Sequence, residues 1–155
     1  RLLSMARAPF QILVFPYFKN SDAEFLYALF KRSKEDYWQG IAGGGEEGET
    51  ILDAAKREAY EEAGVQINKK YIELKSISTH SVIDIVGSLM WGKDTLVIPE
   101  YCFGVELEVK ELLLSKEHSE YKWVTYEEAI KMLKWDSNKT AIWELNQRLV
   151  WDYSK

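Results

Sequence analysis

Along this chain of 155 residues the rhythm of apolar and polar positions changes several times, and each change marks an element. Phe10 to Phe18 is dense in Ile, Val, Phe and Tyr and predicts a strand. Glu24 to Lys31 predicts its neighbour, with Lys19-Asn20-Ser21-Asp22 as the turn between them. A glycine cluster at Gly40, Gly43, Gly44, Gly45 and Gly48 predicts a loop. Thr50 to Ala63 predicts a helix. Thr50-Ile51-Leu52-Asp53 opens it as a capping box, with Asp where Glu or Gln is usual. Gly64 ends it, because glycine enters the left-handed region beyond a helix terminus without penalty.

Tyr71 to Val86 and Ile98 to Val109 predict two further strands, joined by a loop over Gly87 to Val97. Thr125-Tyr126-Glu127-Glu128 starts a second capped helix that runs to Lys134. Ser137 to Trp151 predicts the last helix, with Ile142, Leu145 and Leu149 at helical spacing. Strands and helices mix without regular βαβ alternation. The expected fold class is therefore α+β, with helices packed on a mixed sheet.

Neither a linker nor a repeat interrupts the chain, so residues 1–155 are read as one domain. Within it, residues 1–7 are read as a disordered start or an expression remnant, with Met5 as the natural first residue. A net charge of −5 argues against extended nucleic-acid binding, which needs a basic field. The single cysteine, Cys102, excludes an intramolecular disulfide and fits a reducing, cytoplasmic setting. No apolar run reaches membrane-spanning length, so no membrane partner is expected.

The chemistry concentrates between Gly43 and Val65. At about 100° per residue, Glu58, Glu61 and Glu62 fall within an arc of about 100° on the helix. Leu52, Ala55, Ala59 and Ala63 form a neighbouring small-residue strip that permits close approach to a sheet. Like charges three and four residues apart repel and weaken a helix by tenths of a kcal/mol. Arg57, four residues before Glu61, offsets part of that repulsion, and a hard divalent cation would offset more. Taken alone, such a helix is more simply a solvated face with surface ion pairs.

The full spacing changes that balance. Gly43, Glu49, Arg57, Glu58, Glu61, Glu62, Gly64 and Val65 match the Nudix box G-x5-E-x7-R-E-U-x-E-E-x-G-U, where U is aliphatic and Ala59 is a small residue at the first U. Seven fixed letters at roughly 7% each arise by chance about once in 10⁸ starting points. The chain thus resembles the Nudix hydrolases. That resemblance implies a mixed β-sheet sandwiched between α-helices, and Mg²⁺ (or Mn²⁺) held by Glu58, Glu61 and Glu62 with the Gly43 carbonyl nearby. It also implies that Arg57 orients a glutamate, that Glu49 supports the helix, and that water attacks a phosphorus atom.

Flanking pieces extend the resemblance patchily from about Pro9 to Ile142. Trp38-Gln39, Lys116-Glu117-His118, Tyr121-Lys122-Trp123 and Trp135-Asp136-Ser137-Asn138 are similar to the branch of that family acting on dihydroneopterin triphosphate or dATP. By position, Glu117 would complete the metal site or activate water; otherwise it is a solvated loop acid. Trp38 would stack on a flat ring, and otherwise is an edge-of-core tryptophan. Lys31 and Arg32 would contact phosphates, and otherwise are solvated strand-end cations. His80 and His118 lack metal-ligand spacing and are read as structural or surface residues. Trp123, Trp135 and Trp143 are read as core and helix-packing residues.

The implied activity is hydrolysis of a nucleoside or pterin triphosphate to pyrophosphate and a monophosphate. The alternatives are a dinucleoside polyphosphate or damaged-nucleotide hydrolase, and a nucleotide-binding domain without turnover; RNA decapping fits the acidic balance poorly. The expected partner is a small nucleotide-like molecule, and homodimers are common in the family.

Overall fold

The apolar run around Phe15 forms β1 (Arg7–Lys19), a strand buried on both faces. Ile12 and Val14 enter one core, and Leu13, Phe15 and Tyr17 enter another, as the two-residue period of a strand requires. Burial on both faces is why this strand reads as a continuous apolar run. The structure, a computed structural model, describes residues 6–154. The expectation for residues 1–7 therefore lies outside the described residues, except at Ala6 and Arg7. Arg7 opens β1 and donates from Nη2 to Gln11 Oε1 at 3.1 Å.

β2 (Phe25–Arg32) pairs antiparallel with the end of β1, from Tyr17↔Tyr27 to Lys19↔Phe25. Asn20 holds the turn: its Oδ1 accepts from the backbone of Asp22 and Glu24, each at 3.0 Å. The two strands then part, and the chain fills the gap. β3 (Trp38–Gln39) pairs with Phe30 and Lys31 of β2, and β4 (Ile41–Glu46) runs along β1 from Val14↔Ile41 to Gln11↔Gly44.

The glycine cluster expected as a loop is thus largely a strand. Glycine is a poor strand former, but here crowding demands it. A Cβ on Gly43 would overlap the Glu58 carboxylate, one on Gly44 the Arg7 guanidinium, and one on Gly45 the Phe10 ring.

β5 (Tyr71–Ser81) ends earlier than the pattern predicts. Val82 to Val86 turns into a short helix, α2 (Val82–Val86), because the Ser81 hydroxyl accepts from the Asp84 N–H and Gly87 closes it at φ 80°. β6 (Val97–Glu106) pairs parallel with β1 and antiparallel with β5. β7 (His118–Val124), which the pattern did not single out, pairs antiparallel with β2. Its exposed Glu120 and Lys122 disguise it. The sheet has seven strands in the order β3-β2-β1-β6-β5, with β4 beside β1 and β7 beside β2.

Helices cover both faces. α1 (Ile51–Ala63) lays Ala54, Ala55, Ala59 and Ala63 against Ile12, Val14, Phe30 and Phe103. Leu52, expected in that contact, is exposed, whereas Ala54 is fully buried there. On the other face α3 (Tyr126–Met132) and α4 (Asp136–Ser154) bring Ala129, Ile142, Leu145 and Leu149 onto Leu13, Phe15, Tyr27 and Leu29. The class is α+β, a mixed sheet between helices, as the sequence predicts. Trp143 is a correction: it lies on the outer face of α4 with half its surface exposed. None of the helices among the described residues is long and apolar enough to cross a membrane.

Candidate active site

The turn into α1 is built around Arg57. Gly48 takes φ 86°, which lets Glu49 fold back so that its Oε1 accepts from the Glu46 N–H at 2.9 Å. Thr50 caps the helix through the reciprocal box with Asp53, and Gly64 ends it at φ 71°. Within that frame Arg57 grips Glu49 with both forks: Nε donates to Oε2 at 2.7 Å and Nη2 to Oε1 at 3.1 Å. Nη2 also donates to the Gly44 carbonyl at 2.8 Å. Nη1 donates to Glu58 Oε1 at 2.9 Å and to Glu61 Oε1 at 3.0 Å. One guanidinium therefore ties β4, the turn and the acidic strip together. Burial disfavours its charge, yet the hydrogen bonds it donates to Glu49 and Glu58 outweigh burial and hold its pKa above the ordinary value.

Glu58 and Glu62 are buried on α1, while Glu61 stands further out. Burial pushes the Glu58 carboxyl up to about 7 against the pull of Arg57, with Glu61 and Glu62 adding to the rise. Burial likewise raises Glu62, opposed by the Ser115 hydroxyl, which donates to its Oε2, and reinforced by Glu117. The loop carrying Ser115 is pinned to the helix end by its own N–H, which donates to the Glu62 carbonyl at 3.1 Å.

Glu117 is brought to the same cleft from that loop; its backbone N–H donates to Ser115 Oγ at 3.2 Å. His118, expected as structural or surface, is fully buried. Its Nδ1 has no hydrogen bond and sits 3.8 Å from Glu62 Oε2, and burial pushes its pKa down to about 4, so it is neutral there.

Glu58, Glu61, Glu62, Glu117, Gly43 and Arg32 all line one cavity of about 500 Å³. Arg32 is engaged there by Glu35 at 3.3 Å and by Glu117 at 3.5 Å. Lys31 is not brought in: it pairs with Asp36 at 2.8 Å on the other side of β2. Arg7, which the sequence reading counts with the disordered or added start, lines the cavity, and its Nε is buried without a hydrogen-bond partner.

The cavity continues into a second lobe of about 570 Å³ through shared walls at Gln11, Tyr37, Gln39, Ala42, Asp84 and Ile85. Trp38, expected at the ring position, packs instead against the core beside α3 with Lys122 over its face. The flat surfaces of the second lobe are its neighbour Tyr37 and Trp135, edge to face at 5.4 Å. Trp135 is thus a correction to the core reading, and it is 44% exposed, enough to offer a ring face. Nothing in the spacing singles out Tyr37, because it stands in the loop just before β3, where the path of the chain and not a sequence period decides which of two adjacent aromatics turns to the cleft.

In kind, the acidic lobe suits a hard divalent cation. Its donors are carboxylate oxygens, and two of them carry a raised proton affinity that a cation would relieve. Among the described residues, no three such groups already converge into a ligand shell. Glu58 and Glu61 are turned to Arg57, and Glu62 to Ser115.

Comparison with known proteins places this geometry. The family model described as the NUDIX domain matches residues 13–143. The dihydroneopterin triphosphate diphosphatase of Escherichia coli is 29% identical over 138 residues, which is 88% of this chain and 91% of that protein. The Haemophilus influenzae protein of the same name is 26% identical over 133 residues, 84% and 83% of the two chains. Among solved structures, a Listeria monocytogenes chain described as a NUDIX hydrolase superposes with a TM-score of 0.84 at 42% identity, covering 94% of this chain and 97% of that one. The E. coli dihydroneopterin triphosphate pyrophosphohydrolase superposes with a TM-score of 0.73 at 25% identity, covering 92% and 99%.

Proposed function

The chain belongs to the Nudix family, whose hydrolases cleave phosphoanhydride bonds with divalent metal ions, and from that premise we propose that it hydrolyses a nucleoside or pterin triphosphate to a monophosphate and pyrophosphate. One observation carries this reading. A lobe lined by Glu58, Glu61, Glu62 and Glu117 opens directly into a lobe lined by Tyr37 and Trp135. The first suits a cation-bound phosphate chain, and the second a flat ring. The dihydroneopterin triphosphate relatives favour the same substrate class.

Glu58, Glu61, Glu62 and Glu117 would hold Mg²⁺ or Mn²⁺, with Gly43 bringing its backbone close. The cation would neutralise phosphate charge and lower the pKa of a bound water. Arg57 holds the strip in place, anchored on Glu49 and donating directly to Glu58 and Glu61. Arg7 and Arg32 stand at the same lobe to meet phosphate oxygens. A cleft carboxylate accepts the proton of the attacking water; the new P–O bond forms as the bond to the pyrophosphate leaving group breaks.

The test is release of pyrophosphate and phosphate from dATP, dGTP, dihydroneopterin triphosphate and diadenosine tetraphosphate, each with Mg²⁺ and with EDTA. Metal-dependent pyrophosphate release from a triphosphate is the expected result. Silence on every triphosphate overturns the reading, and much faster turnover of the dinucleoside polyphosphate moves it to that substrate class.

A further inference from the structure

The second lobe contains a feature that the phosphate chemistry does not use. Glu100, on β6, is 5% exposed and lines that lobe. Its Oε1 accepts from the Ser78 hydroxyl at 3.2 Å and faces His80 Nε2 at 3.2 Å. No Lys or Arg lines the lobe, and Asp84 and Asp136 are its other acids. A buried carboxylate is costly unless its acceptor capacity is filled, and two neighbours on one oxygen leave capacity over. Asn138 lines the same lobe. Its Oδ1 is taken by the Gly40 N–H at 2.8 Å, which fixes the amide so that Nδ2 is a donor.

We propose that Glu100 reads the edge of the substrate ring, and that the lobe selects a 2-amino-4-oxopyrimidine ring, as in guanine or a pterin, over adenine. Such a ring presents a ring N–H beside an exocyclic amino group, two donors side by side that converge on one acceptor, and Oε2 is the Glu100 oxygen left to take them because Oε1 already has Ser78 and His80. Its oxo group is an acceptor suited to an amide donor such as Asn138. Adenine presents one amino group beside a ring nitrogen that is itself an acceptor, and that nitrogen repels a carboxylate. Tyr37 and Trp135, whose rings have Lys134 Nζ at 5.1 and 5.2 Å from their centroids, supply the ring contact, and no lining Lys or Arg draws the phosphates into this lobe. The inference rests on the proposed triphosphate reading for which end of the cleft takes the ring.

Equilibrium binding tests it without turnover. GMP, IMP and AMP are titrated calorimetrically into the full chain and into Glu100→Gln. GMP is expected to bind at least about fivefold more tightly than AMP, the lower end for a paired-donor contact, with IMP in between because it lacks the amino donor. Glu100→Gln, which puts an amide where two acceptors stood, brings GMP down to the level of AMP. Equal binding of GMP and AMP overturns the proposal, and so does a preference that survives the substitution. If the variant does not fold, the wild-type series decides: GMP no tighter than IMP overturns it. A ring preference in a protein that hydrolyses no triphosphate sinks the hydrolase reading and keeps this one. Triphosphate hydrolysis without ring preference does the reverse.

Discussion

Arg57 is the residue on which the acidic strip depends, because its five donors are shared among Glu49, Gly44, Glu58 and Glu61. A lysine keeps the charge but cannot reproduce the fork on Glu49. Arg57→Lys is therefore expected to lower kcat/KM by roughly 10- to 100-fold, the usual loss when a residue orienting metal ligands is removed. Glu61 is the complementary case. It is partly exposed, so Glu61→Gln should leave the thermal midpoint nearly unchanged while abolishing metal-dependent turnover. Unchanged turnover would show that the strip is not the metal site. At this scale the sequence was most legible where spacing along one helix decides proximity: Glu58, Glu61, Glu62 and Arg57 meet because they share a helix face. Arg7, Tyr37 and Glu100 were not legible, because they arrive from β1, from the loop before β3 and from β6.

Among the elements, β5 shows how a helix repairs a strand. Its register against β6 shifts between Glu73 and Ile77, and Glu144 of α4 accepts from the Lys75 and Ser76 N–H groups there, each at 2.8 Å. Arg148 and the Ser76 hydroxyl complete the cluster. Burial disfavours the charge, but these hydrogen bonds outweigh it and hold the Glu144 carboxyl down at about 2. A depressed carboxyl stabilises the fold above its unfolded pKa, and the effect fades as pH falls through the folded value. Glu144→Gln is expected to destabilise by about 1–3 kcal/mol at neutral pH, by loss of charged hydrogen bonds. The gap from wild type should narrow below pH 4.5 as the carboxyl protonates. Urea denaturation across that range checks both the size and the sign; a gap that widens in acid contradicts the assignment. Elements with terminal signals were read correctly: both capping boxes are formed. β3, β4 and β7 were missed because partner strands, not local propensity, make them strands.

For the whole molecule, the acidic lobe is a region where folding brings like charges together, and a bound cation should stabilise the fold. At a hundredfold excess over its dissociation constant a ligand adds about 2.7 kcal/mol. For a domain of this size that is a rise of roughly 5–10 °C in thermal midpoint. Mg²⁺ or Mn²⁺ is expected to produce such a rise in a thermal melt and EDTA to reverse it. Melting indifferent to Mg²⁺, Mn²⁺ and EDTA would argue that the carboxylates serve only their protein partners, Arg57, Arg32 and Ser115.

By itself the sequence determined the family, the fold class, the core strand β1, the capped helices and the acidic face of α1. All of these follow from periodicity or from fixed spacing within about twenty residues, where chain geometry leaves little freedom. Only the tertiary structure decided that the glycine cluster is a strand, that Tyr37 rather than Trp38 faces the cleft, and that Glu100 stands buried in the second lobe. Those outcomes depend on which strands pair and in what register, and a shift of one residue turns every side chain to the opposite face.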